Sequence, residues 1–74
     1  MTERTRVDQI QPGTTFQLIA EWRIDGTDEI VPTTDVLTAF EITVDGSVVR
    51  INTEVGALSL ETEDYVDVVA APPS

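Results

Sequence analysis

The chain has no cysteine, no histidine and, because its four basic residues are all arginine, no lysine. Each absence removes a chemistry. Without cysteine there is no disulfide framework, no thiolate nucleophile and no thiol zinc site, and without histidine the other common zinc ligand is missing. A serine hydrolase needs a base beside its nucleophile, and Ser47, Ser59 and Ser74 have neither histidine nor lysine to serve them. The four glycines, Gly13, Gly26, Gly46 and Gly56, stand alone, so no glycine-rich loop can cradle a phosphate. No run approaches the roughly 20 apolar residues of a membrane span. The polar opening Met1-Thr2-Glu3-Arg4-Thr5-Arg6 leads into no apolar stretch of signal-peptide length. The expectation is a soluble, unprocessed non-enzyme with no catalytic residue, cofactor or metal.

What is present is acid. Fourteen Asp and Glu against four Arg give 74 residues a formal net charge of −10. Glu3, Arg4, Arg6 and Asp8 cancel, so the whole excess falls on residues 14–74, where 12 acids face only Arg23 and Arg50. Such a body is repelled by nucleic acid and by anionic lipid, which excludes both as direct partners. A chain this short buries only about 60% of the surface it exposes when unfolded, so it has a thin core and little room for an internal cleft. Binding on a surface is the default. Oxygen ligands crowd at Asp25, Asp28 and Glu29 and again at Glu61, Glu63, Asp64 and Asp67, but neither group has the spacing of the twelve-residue calcium loop. These groups read as solvated acidic surface.

The apolar pattern has period two. Phe16, Leu18, Ala20, Trp22 and Ile24 share one parity over 14–24, with Ile19 the exception. A four-residue loop over Asp25 to Asp28 then sets Trp22 opposite Val31. In the second hairpin Val36, Thr38, Phe40, Ile42 and Val44 face Val49, Ile51, Thr53 and Val55 across an Asp45-Gly46 turn, with Ile42 opposite Val49 and Phe40 opposite Ile51. A competing short helix over 36–41, opened by Thr34-Asp35, is weakened by the β-branched Val36, Thr38 and Ile42. Gly56 breaks the pattern before Leu58 and Leu60, and residues 65–70 form a last strand carrying Val66 and Val68 inward. The fold class is therefore all-β, a small antiparallel sandwich or open barrel of five to six short strands. Trp22, between Ala20 and Ile24 on the apolar parity, reads as core rather than as a binding-site residue.

The organisation expected is an extended N-terminal arm over 1–13, a single β domain over 14–70 and a tail over 71–74 that its two prolines keep out of a sheet. Ile19, Leu37, Ala39, Val48 and Val69 fall on the outward parity, enough to suggest a second chain over that face. Candidate partner-binding residues are thus Ile19, Leu37 and Val48, together with Arg4, Arg6, Val7 and Ile10 of the arm, which could reach a neighbouring subunit.

The stretch Gly13-Thr14-Thr15-Phe16-Gln17-Leu18-Ile19-Ala20-Glu21-Trp22-Arg23-Ile24-Asp25-Gly26, followed by a proline-containing connection and another strand, resembles the opening of small β domains in tailed-phage virion proteins. It covers about a third of the chain. The resemblance implies a non-enzymatic virion component that docks on a capsid shell, as a decoration or cement protein, or on a tail. Its partner would be a major capsid or tail protein, with self-association as a further contact and the virion as its location. Two alternatives remain at this level. One is an acidic mimic of DNA that inhibits a host nuclease or defence complex, which needs carboxylates such as Glu21, Glu41, Glu54 and Glu61 on one face. The other is a small cytoplasmic adaptor domain.

Overall fold

The computed structural model describes residues 2–72, so Met1 and the last two residues of the expected tail lie outside the described residues. The domain is all-β, as its period-two pattern predicts. Eight strands form: β1 (Glu3–Arg6), β2 (Thr15–Leu18), β3 (Trp22–Arg23), β4 (Ile30–Val31), β5 (Leu37–Asp45), β6 (Val48–Thr53), β7 (Gly56–Glu61) and β8 (Tyr65–Ala70). The only helical turn among the described residues is a single 3-10 turn at Val7–Gln9. Six strands make one open antiparallel sheet in the order β1-β8-β2-β5-β6-β7, and β3 and β4 pair separately.

That order forces the sheet to curl. β7 and β8 stand four positions apart and run the same way, yet only residues 62–64 join them. A flat sheet would hold the two strands about 19 Å apart at ~4.8 Å per step, with the length of a strand still to be retraced. Three linking residues reach about 14 Å. The sheet therefore bends on itself, and its concave side holds the core, whose largest fully buried side chains are Phe16, Leu37, Ile51, Leu58, Val7, Val49 and Val66.

Four expectations change. The single strand over 14–24 is two, because the chain bends at Ile19-Ala20, leaving both side chains exposed and sending Trp22 and Arg23 into the small β3–β4 hairpin. Within that hairpin Trp22 does pair with Val31, and the Ile24 N–H donates to Glu29 O at 2.9 Å, which closes the four-residue loop Asp25–Asp28. The β5–β6 turn is Gly46-Ser47 rather than Asp45-Gly46. Asp45 pairs with Val48, Val44 with Val49 and Ile42 with Ile51. Gly46 has φ +63 while among the described residues no other residue type has positive φ, the backbone of a two-residue turn with glycine in first place.

The third change is a β-bulge between Ala39 and Glu41, where Phe40 is the surplus residue. Strict alternation fails across a bulge. Leu37 and Ala39, expected outside, are buried, and Phe40, expected inside, is 60% exposed. The bulge falls where the strand changes neighbours: Leu37–Ala39 lie beside β2, where Ala39 N–H donates to Thr14 O and Gly13 N–H to Ala39 O, while β6 pairs from Ala39 on to Asp45. The third run also ends at Thr53, not Val55, since Glu54-Val55 form a tight turn into β7.

The fourth concerns the arm. Residues 3–6 pair with β8 from Glu3↔Val68 to Arg6↔Tyr65, and Val7 N–H continues the ladder to Asp64 O. Val7 and Ile10 are buried with the rest of the core. The segment is an edge strand plus a plug over one end of the core, not a free arm. Its two apolar residues find a place because the curled sheet leaves its concave side open next to β8.

Candidate docking surface

A sheet that does not close into a barrel has edges, and an edge is a row of unpaired N–H and C=O groups that can accept another strand. The three stretches of free edge here are treated differently. On β7 the outward carbonyls, and the N–H of Glu61, are taken by side chains and loops. Asp25 N–H donates to Ala57 O at 2.8 Å and the Trp22 indole N–H to Ser59 O at 2.9 Å. Glu61 N–H donates to the Asp64 carboxylate at 2.9 Å, and Asp64 N–H returns to Glu61 O. The Ser59 hydroxyl also bonds Asp25 at 2.6 Å, which Arg50 approaches at 3.9 Å. The β3–β4 hairpin is thus a cap laid along that edge. Trp22 is half-buried in it, packed against the core as its parity predicts.

On β1 the edge is blunted by length and charge. It spans four residues, three of them Glu3, Arg4 and Arg6, and turns off at Val7. Arg4 pairs with Asp67 at 3.3 Å and Arg6 with Asp8 at 2.9 Å, so these candidate partner residues are engaged within the chain.

On β5 the edge is open. β2 reaches only as far as Thr14 and Gly13 beside Ala39 and then turns away through Pro12, which leaves residues 40–45 with β6 on one side and no described residue bonding the other. The pattern of alternation says which groups are free. Thr62 N–H bonds Ser47 O, so the odd residues of β6 serve β7 and the even ones serve β5, at Asp45, Thr43 and Glu41. The N–H and C=O of Ile42 and Val44 therefore point away from the sheet. Cross-strand pairing puts Ile42 and Val44 on the face of the buried Ile51 and Val49, and Glu41, Thr43 and Asp45 on the opposite face. The hairpin tip extends past the core, so Val44 is 54% exposed despite its inward side, and Val48 is 43% exposed on the outer face.

The remaining candidates are dispersed. Leu37 is 1% exposed and belongs to the core, so it is withdrawn from the partner-binding set along with the buried Val7 and Ile10. Ile19 is exposed and borders a shallow groove of about 250 Å³ that Leu18, Trp22, Leu60, Tyr65 and Arg4 also line. A second hollow, of about 290 Å³, lies beside Gln9, Ile10 and Val68. Both fall below the range of small-molecule clefts, which run from about 300 to 1,000 Å³. Among the described residues no group of three or more acidic side chains converges as metal ligands would. Phe40 and Val44 are among the surface residues that parity alone misses, with Ala20, Val36 and Val55; the bulge that exposes Phe40 carries no glycine or proline to announce it. Comparison of the chain with protein-family models, with curated proteins and with solved structures finds no match.

Proposed function

We propose that the protein is a non-enzymatic structural subunit that docks on a larger protein assembly. The observation that carries this reading is the open β5 edge flanked by exposed Phe40 and Val44 in a domain whose β7 edge is capped and whose β1 edge is short and charged. Exposed apolar side chains scattered singly need no explanation, but an open edge that also exposes apolar side chains is a hazard to a free monomer and an asset to a subunit. The resemblance to tailed-phage β domains supplies the kind of assembly, a capsid shell as a decoration or cement protein, or a tail. The acidic surface then keeps the subunit soluble before docking.

The mimic of DNA draws less support. Glu21 lies in the β2–β3 connection, Glu41 on β5, Glu54 in the β6–β7 turn and Glu61 at the end of β7. Asp8, Asp25, Asp64, Asp67 and Glu54 are engaged with arginines, a serine hydroxyl or backbone N–H groups. Gradient sedimentation of extract from the native source, with the chain followed by mass spectrometry, tests the reading. Migration with a particle far larger than a nuclease complex is expected; migration as a free monomer or with a nuclease overturns it.

A further inference from the structure

We infer that the open half of β5 takes up an extended segment of the partner by strand addition, and that this segment alternates apolar with basic residues. The inference rests on the docking reading and deepens it, naming the mode of attachment and the chemistry of what attaches. Residues 40–45 run about 20 Å at ~3.3 Å per residue. Over that length the N–H and C=O of Ile42 and Val44 offer two donors and two acceptors to a neighbouring strand. The side chains that an added strand would lie beside alternate in character. Ile42 and Val44 occupy the core-side face, while Glu41 and Asp45 flank Thr43 on the other. Because an added strand has the same period, its residues on the first face are best apolar and those on the second best Lys or Arg.

The charge of the whole body selects among occupants. A second copy would present a matching edge, but it would bring −10 against −10, and it has no lysine to set beside Glu41 and Asp45. A basic segment is drawn in by the same field. The β1 edge does not compete, since its outward residues Arg4 and Arg6 would repel a basic strand. β7 does not compete because its carbonyls are already occupied.

The test is a titration of the isotope-labelled full chain with a synthetic hexapeptide of alternating lysine and valine, followed by amide shifts and hydrogen exchange. A peptide with the same lysines and valines in two separate blocks serves as control. The alternating peptide is expected to protect the Ile42 and Val44 amides and to bind more weakly as salt rises. Val44→Pro removes one outward N–H that bonds none of the described residues, and proline is tolerated on such an edge, so affinity should fall about tenfold. Should Val44→Pro fail to fold, Val44→Lys replaces the apolar neighbour of the peptide's valine face with a charged side chain and should weaken binding likewise. Equal binding of the block peptide, protection centred on β1 or β7, or unchanged affinity in the folded variants overturns the inference. So does a dimer of the parent in sedimentation with those two amides protected before peptide is added. Failure of the docking reading is read separately: strand addition falls alone if the chain migrates with a particle but ignores the peptide, and the docking reading falls alone if the peptide binds β5 while the chain migrates free.

Discussion

The β7 and β5 edges of one sheet have opposite fates, and the contrast shows how a small acidic domain keeps one surface available. Along β7, Trp22, Asp25 and Asp64 supply partners for Ala57, Ser59 and Glu61, so the main chain there is closed to a further strand. Along β5, the bulge at Phe40 and the early departure of β2 leave Ile42 and Val44 with nothing beyond them. The protected edge uses the hairpin Trp22–Val31 as its cover. The open one projects past the core and is guarded only by Glu41 and Asp45, which discourage another copy of the same acidic chain.

The open β5 edge should matter least to stability, and the largest expected effect comes from removing the strand and plug that cover the core beside β8, at the other end of the sheet from β7. Deleting residues 1–10 takes away β1 and the buried Val7 and Ile10. Each such side chain contributes about 1.5–3 kcal/mol, against a total of about 5–15 kcal/mol for a whole domain. The truncated chain should lose its cooperative melt by circular dichroism. A sharp transition within a few degrees of the parent's would show that the segment is a dispensable arm after all.

Next in size is Gly56→Ala, at the start of the capped strand. Gly56 has φ +136, and a Cβ there would stand 2.6 Å from Ile24 Cγ2, a buried β-branched side chain with little freedom to give way. Overpacking and backbone strain together should cost about 2–3 kcal/mol. Gly46→Ala, in the tip of the open hairpin with φ +63 and nothing within 4 Å, carries the strain alone and should cost about 1 kcal/mol. Equal losses in urea unfolding would mean that the cap does not press on β7 as closely as described.

Trp22→Phe keeps most of the packing but withdraws the indole N–H from Ser59 O, at a cost of about 1 kcal/mol. It should also raise hydrogen exchange along β7 while leaving β5 unchanged. Val44→Lys, on the open edge, should change unfolding free energy by no more than about 0.5 kcal/mol and reduce aggregation at high concentration. A loss above about 2 kcal/mol would place Val44 among packed core residues. Smallest of all, added sodium chloride should raise the melting temperature slightly, because a −10 body repels itself and 0.1 M salt limits that repulsion to about 10 Å. The same salt should weaken capture of a basic strand, so stability and docking move in opposite directions.

Much of this arrangement is legible in local pattern. Alternation at Phe16 and Leu18, at Val49 and Ile51, and at Leu58 and Leu60 reports residues that the curled sheet buries. The four-residue loop that brings Trp22 to Val31 follows from Asp25-Gly26 and from the need to keep glutamate off a buried face. Neither Phe40 nor Leu37 could be placed in this way. A bulge arises when one strand must satisfy two neighbours at different registers, and β2 and β6 are neighbours of β5 only in the folded sheet. Phe40 therefore sat inside the expected core, and Val44 did so because alternation does not report that the hairpin tip runs past the core.

The sequence by itself determined the β class, the absence of cysteine, histidine and lysine chemistry and the acidic field, because composition and period act without knowledge of distant partners. Only the tertiary structure decided the roles of the two ends of the chain and of the edges. Pairing of residues 3–6 with 65–68 joins strands some sixty positions apart, and no local propensity encodes such a meeting. Whether an edge is open depends likewise on which strand arrives beside it and where that strand turns away. At Pro12-Gly13, β2 is already too short to cover β5, and that shortfall leaves the free main chain at Ile42 and Val44.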